Sequence, residues 1–165
     1  MWTIVKINRN EIGFLKNDFK KKLGNGLHLY SPKVLLNISK KNKYIKKEFN
    51  LMGDYLFCFH KKFHDPKIIK SLKYSKGLKY FLQGFEKSQN EIIEFINRCR
   101  KSEDHKGYVT QTFFKLYYKT SYKFSSGPFV NMIFKIIDLQ QDKINILVGN
   151  LKTTLKKNKY IFTQV

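Results

Sequence analysis

The chain has 165 residues, enough for one ordinary domain or two small ones, and 33 basic against 12 acidic residues give it a formal net charge of +21. Its apolar content of 42% and aromatic content of 16% suit a packed core, which excludes a disordered polycation and makes the charge a surface property that attracts polyanions, nucleic acid first. Only Arg9, Arg98 and Arg100 are arginines. Lysine attracts phosphate as a point charge but lacks the bidentate fork that reads guanine edges, so general phosphate attraction is expected rather than base reading. The accompanying Asn and Ile are what an AT-rich genome produces, which accounts for part of the lysine excess. Two cysteines, Cys58 and Cys99, make no disulfide framework. No apolar run approaches the roughly 20 residues of a membrane span, MWTIVKINRNE lacks a signal-peptide core, and no basic amphipathic helix suits a lipid surface. A cytosolic monomer is expected.

In chain order, Trp2 to Ile7 alternates as a strand. Glu11 to Leu23 places Ile12, Leu15, Phe19 and Leu23 at helical spacing, and Gly24-Asn25-Gly26 stops that helix. Two strands are expected next, His28 to Ser39 and Lys43 to Phe49, joined by the lysine-rich turn SKKNK. Tyr55 to His60 is a further strand, with Tyr55, Phe57 and Phe59 on one face and Leu56 and Cys58 on the other. Asp65-Pro66 opens a short helix as N-cap and first residue. Leu78 to Leu82 reads as a strand, and Ser88 with Glu91 forms a capping box before a helix running to about Cys99.

RKSEDHKG, 100 to 107, is polar and without period, hence a linker. Beyond it, Tyr122 to Phe124, Ile133 to Leu139, Lys143 to Val148, Leu151 to Leu155 and Tyr160 to Thr163 are short strands separated by SSGP, QQD, GN and KKN turns. Five such strands in about 45 residues suggest a small barrel. The fold class is therefore α+β: an α/β part of order βαβββαβα, a four-stranded antiparallel sheet with helices, followed by a five-stranded β-barrel.

Catalytic motifs are missing: there is no GxxxxGK[ST], HExxH or GxSxG, and only Asp138 and Asp142 are acidic beyond residue 104. No enzymatic activity, metal or cofactor is expected. Cys58, His60 and His64 make a C-x-H-x3-H pattern, but a structural zinc site takes four ligands, so core and loop roles are expected instead. An RNA-recognition sheet would need a second aromatic in the middle of the first strand, where WTIVKI is aliphatic.

Several stretches, in order, resemble the NusG family of transcription elongation factors, especially its short, specialised RfaH-like members. Trp2 stands at the start of the first strand, as in the family. The family's E-x-x-F-P-x-Y-[LV]-[FV] is matched by Glu48 followed by LMGDYLF, 51 to 57. Its T-x-G-V-x-x-F-V is matched by SKGLKYFL, 75 to 82, and the capped helix by KSQNEIIEFI. SSGPFVNMIFKIIDL and INILVGNLKTTLKKNKYIFTQV resemble the KOW barrel, including Gly127-Pro128-Phe129. Departures are Gly53 in place of the family proline, no KOW-turn glycine near Met132 to Phe134, and altered spacing between the short helix and Gly77. They argue against a standard housekeeping member.

The resemblance implies an N-terminal NGN domain over 1–99, a linker over 100–116 and an SH3-like KOW barrel over 117–165. It implies that Leu51, Met52, Tyr55, Phe57 and Phe81 form an apolar depression for the clamp helices of bacterial RNA polymerase. Burial of Tyr55 and Phe57 in the sheet's own packing is the alternative. Lys70 and Ser71 are the implied second polymerase contact, and Arg9, Lys16, Lys20 and Lys21 the contact with the non-template DNA strand; an ordinary solvated lysine face is the alternative there. Val148 and Leu151 are the implied KOW contact with a ribosomal small-subunit protein or the termination factor Rho. The implied activity is transcription elongation and antitermination by holding the clamp closed and suppressing pauses. The competing reading is an RNA-binding or ribosome-associated KOW protein that makes no polymerase contact.

Overall fold

The computed structural model describes residues 1–40 and 43–165, so the centre of the expected SKKNK turn lies outside the described residues. The chain packs as two compact units, Met1–Pro32 with Asn50–Asn97, and Lys33–Phe49 with Arg98–Val165.

In the first unit, β1 (Trp2–Ile7) buries Thr3, Val5 and Ile7 on one face and half-buries Trp2, Ile4 and Lys6 on the other. It lies inside a four-stranded antiparallel sheet of order β2-β5-β1-β6, with β2 at His28–Tyr30, β5 at Tyr55–Phe59 and β6 at Leu78–Phe81. Helix α1 (Ile12–Leu23) buries Leu15, Phe19 and Leu23, spaced by four so that they share one face. They form a core with Val5, Ile7, Leu56, Cys58, Phe63 and Phe81, joined by Leu72 of α2 (Pro66–Leu72). The Asp65 side chain accepts a hydrogen bond from the Lys67 N–H at 2.8 Å, capping α2 as expected. A second core uses the opposite face: Phe57 packs with Phe85 and with Ile92 and Ile96 of α3 (Gln89–Lys101). The sheet is thus covered on both sides.

The stretch expected as one strand from His28 to Ser39 is two. The break falls at Ser31-Pro32, where proline has no N–H to continue a ladder and its carbonyl instead accepts from the Leu51 N–H at 2.8 Å. Upstream, β2 joins the four-stranded sheet. Downstream, β3 (Lys33–Lys40) pairs with β4 (Lys43–Asn50) as a separate hairpin, so the observed order is βαββββαβα.

In the second unit, β7 (Ser121–Phe124), β8 (Ile133–Leu139), β9 (Lys143–Val148), β10 (Leu151–Lys156) and β11 (Phe162–Gln164) make an antiparallel sheet of order β10-β9-β8-β7-β11. Alternation sends Tyr122, Phe124, Phe134, Ile136, Ile144, Ile146 and Phe162 to one side, where they form a core with Tyr160. The Phe124 and Phe134 rings lie 4.6 Å apart and Phe134 and Phe162 5.0 Å. Gly127 is held against Tyr160 at φ +84°, and a Cβ there would run into that ring. This close approach explains the Gly-Pro-Phe corner.

Residues 100 to 107 are more ordered than a bare linker. Helix α3 continues to Lys101, and the Asp104 carboxylate accepts from the Lys106 and Tyr108 N–H groups at 2.9 and 3.0 Å. Further on, Gln111 is buried and accepts from the Phe162 N–H at 2.7 Å.

Candidate functional site

The α3 side of the first sheet is not covered along its whole length. Ile4 of β1 faces Phe57 of β5 beneath α3. One step further along the strands, Lys6 faces Tyr55 on one side and Tyr80 of β6 on the other. Here the cover ends. The two phenol oxygens are 3.2 Å apart, and the Lys6 ammonium stands 5.6 Å from the Tyr55 ring centre and 5.7 Å from that of Tyr80. Tyr80 is 45% exposed and Tyr55 half-buried. The hydrogen bond with Tyr55 holds the Tyr80 phenol below its usual range, aided by Lys6, and the same contact pushes Tyr55 up.

Next to this trio the β4–β5 turn brings up Leu51, half-buried, and Met52, exposed. The Tyr55 N–H donates to the Met52 carbonyl at 3.2 Å, so the turn closes directly onto the strand. Gly53 in that turn has φ +59°, which proline's ring forbids. The departure from the family proline is thus a different turn. Beyond Tyr80, a hollow of about 450 Å³ is lined by Ile69, Lys73, Leu82, Phe85 and Glu86 among others. The result is an aromatic platform with a cation in its middle and apolar side chains at its rim.

Two expected docking residues are not on this surface. Phe57 is 2% exposed, its ring 5.6 Å from Phe95 under α3. Phe81 faces the opposite core, stacked on Phe19 at 6.2 Å and edge-on to Phe63 at 6.4 Å. The reason is alternation: in LKYF the side chain that shares the Tyr55 face is Tyr80, and Phe81 must point the other way. Lys6 and Tyr80 are absent from the sequence-based expectation; strand parity finds them only once the register of β1 with β5 and β6 is known.

The α1 lysines Lys16, Lys20 and Lys21 are exposed, away from the buried stripe. Arg9 is held in a 2.6 Å ion pair with Asp54, so part of its charge is answered within the unit. Lys22 donates from its ammonium to the Ser71 carbonyl at 2.9 Å, clipping α1 to the end of α2. Lys70 is exposed, and the Ser71 hydroxyl donates back to the Ile68 carbonyl at 2.8 Å.

In the second unit, Leu151 is 75% exposed on β10, the edge strand, and pairs in register with half-buried Val148 across the Gly149-Asn150 turn. Gly149, at φ +57°, supplies the first central residue of that two-residue hairpin.

Of Cys58, His60 and His64, the first two are buried and the third is exposed. His60 Nδ1 accepts from the Lys62 N–H at 3.1 Å, so Nε2 carries the proton and donates to the Asn25 carbonyl at 3.1 Å. Burial pushes the Cys58 thiol up, which keeps it neutral. Among the described residues no group of three or more His, Cys, Asp or Glu side chains is gathered as a metal ion would need. No helix among them is long and apolar enough to cross a membrane.

Solved structures similar to this chain include the MjSpt4:Spt5 complex in conformation B, at a TM-score of 0.31 and 12% identity over 100% of this chain and 98% of that one. They also include Thermotoga maritima NusG, at 0.33 and 15% identity over 94% and 91%. No protein-family model and no curated protein matches the chain. Scores this low describe a loose likeness, so the functional reading rests on the residues and geometry above.

Proposed function

We propose that the chain is a non-enzymatic transcription elongation and antitermination factor of NusG type, whose first unit docks on the clamp helices of bacterial RNA polymerase. The observation that carries this reading is the uncovered Tyr55–Lys6–Tyr80 platform beside Leu51 and Met52. It falls in the stretches, LMGDYLF and SKGLKYFL, whose sequence resembles the family's polymerase-binding segments. A half-exposed aromatic pair with apolar neighbours can receive a helix face, and an aromatic anchor in a desolvated groove contributes about 2 kcal/mol. Phe57, buried beside the platform under α3, and Phe81, buried on the opposite face of the sheet, touch no partner in this reading.

Lys70 and Ser71 would meet the opposite side of the polymerase cleft, through the ammonium of Lys70 rather than the Ser71 hydroxyl, which is engaged with Ile68. Exposed Lys16, Lys20 and Lys21, with Arg9, would follow the phosphates of the non-template strand. Leu151 and Val148 would dock a ribosomal small-subunit protein or Rho. No bond is made or broken by the factor. It acts by binding the closed clamp better than the open, paused one, and so shifts that equilibrium.

The test is retention of core RNA polymerase by the immobilised chain, with pausing measured on a pause-rich template. The double variant Tyr55→Ala/Tyr80→Ala should lose about 30-fold in affinity for each anchor's 2 kcal/mol while keeping its unfolding temperature. Wild-type protein that neither retains polymerase nor shortens pauses would rule the reading out. Retention of ribosomal RNA instead would favour the ribosome-associated reading.

A further inference from the structure

The second unit holds a surface that the proposed function does not use. It carries more than half of the chain's 33 basic residues but only Glu48, Glu103, Asp104, Asp138 and Asp142 of its 12 acidic ones. Leading into β7 is the segment KLYYK, Lys115 to Lys119. Leu116 packs on the core of the five-stranded sheet. The Tyr117 N–H donates to the Tyr122 hydroxyl at 2.9 Å, and the Lys119 N–H to the Ile136 carbonyl at 3.0 Å. The backbone is therefore fixed on both sides of the tyrosines. The two residues are nevertheless 49% and 55% exposed.

Each ring has its own cation. The Lys115 ammonium lies 5.4 Å from the Tyr117 ring centre and that of Lys119 5.3 Å from Tyr118. Lys119 takes φ +59°, a region a lysine adopts at a cost, and it is kept there by the bond to Ile136. Two adjacent, half-exposed tyrosines on a pinned, non-helical backbone, each with a cation over its ring, offer stacking surface to a flat ligand.

The neighbouring sheet surface has matching chemistry. Lys135 pairs with Ser121 on one side and Leu147 on the other, and Leu147 with Lys152. Lys123 pairs with Ile133 and Thr163. All three lysines are exposed; Lys123 and Lys135 alternate with core residues, and Lys152 shares the side of Lys135 through their common partner Leu147, so they line the outward face. Lys135 and Lys152 stand two strands apart, roughly 10 Å at the usual interstrand spacing. The carboxylate of Asp138, on the same strand as Lys135, is occupied by the Asn145 and Gln140 amides at 3.0 and 3.1 Å.

We propose that Tyr117 and Tyr118, with Lys115, Lys119, Lys135 and Lys152, form a binding site for single-stranded nucleic acid. Unpaired bases stack on the half-exposed tyrosines, and the lysines hold the phosphates on either side. Stacking of this kind is indifferent to base identity and sugar, and is denied to a duplex, whose bases are already stacked and paired. The proposal is independent of polymerase binding, which concerns the other unit.

Fluorescence anisotropy of the full chain with labelled 12-mers of oligo(U), oligo(dT) and a blunt DNA duplex tests it, over a salt series and without polymerase. Both single strands should bind with affinities within a few-fold of each other and at least tenfold above the duplex. Tyr117→Ala/Tyr118→Ala should lose about tenfold or more, and Tyr117→Phe/Tyr118→Phe should retain binding because the ring, not the hydroxyl, is required. Lys115→Gln should flatten the salt slope. Equal binding of single strand and duplex, or an alanine variant of unchanged affinity, would overturn the proposal. So would loss in the phenylalanine variant as deep as in the alanine one. Phosphatidylserine vesicles should not compete in a tyrosine-dependent way; if they do, the surface is a membrane contact and the proposal fails.

Discussion

The four-stranded sheet of the first unit has helix-borne cores on both faces, whereas the five-stranded sheet of the second gathers one core on a single face and leaves the other to water. In the first, parity assigns each side chain to one face or the other, so an opening exists where helix cover runs out, as at Lys6, Tyr55 and Tyr80. In the second, outward exposure is the ordinary condition, and Lys123, Lys135 or Leu151 signals nothing merely by being exposed. Information there lies in the exception: two tyrosines left open on a pinned backbone. The same residue types thus carry different meaning in the two units.

Deleting a ring from the doubly covered sheet should give the largest effect. Phe57→Ala leaves a cavity between β5 and α3 and should cost about 3–5 kcal/mol in denaturant unfolding, whereas Tyr80→Ala on the same sheet face should stay within about 0.5 kcal/mol. If Phe57→Ala unfolds normally, the division of that face into a covered and an open part is wrong. Next in size is Gly127→Ala in the second unit. The new Cβ would meet the Tyr160 ring and the positive φ would be strained, for a loss of roughly 1–3 kcal/mol, read by the same unfolding experiment.

Smaller changes concern charge. Replacing Lys16, Lys20 and Lys21 by Gln should leave unfolding unchanged and lower the salt slope of single-strand DNA binding by about 0.7 for each phosphate no longer neutralised. Arg9→Gln should change it less, because Asp54 already pairs with Arg9. The smallest effect is expected in the hairpin. Glu48 is held below the usual carboxylate range, first by its hydrogen bond with Lys33 and also by Tyr108. Its contribution is present above the unfolded value of about 4.3 and fades as pH falls through the lower folded one. The pair is exposed, so Glu48→Gln should cost under about 1 kcal/mol near neutral pH and nothing in acid, in unfolding curves taken at both.

Much of the architecture is legible in the sequence because it follows from local rules. Asp65-Pro66 starts α2, the stripe Leu15, Phe19 and Leu23 makes α1, and the turns of the last 45 or so residues cut the strands where they occur. Pro32 is an equally local signal, and giving it less weight than the β-formers around it merges β2 with β3. The candidate site is less legible, for a specific reason. A stretch such as LKYF contains both Tyr80 and Phe81, and only the pairing register with β1 decides which one joins Tyr55. Phe57 shows a second limit, since a sequence cannot tell that α3 folds back over half of a sheet face. Gln89, whose amide donates to the Trp2 and Phe85 carbonyls at 2.8 and 2.7 Å, helps to fix that cover and carries no motif.

The most direct test of the central claim compares core RNA polymerase binding by wild type, Phe57→Leu and Tyr55→Ala/Tyr80→Ala, with unfolding measured on the same preparations. The platform account predicts near-normal affinity for Phe57→Leu despite reduced stability, and a collapse of affinity for the tyrosine variant despite normal stability. The reverse pattern, with affinity tracking Phe57 and indifferent to both tyrosines, would contradict it.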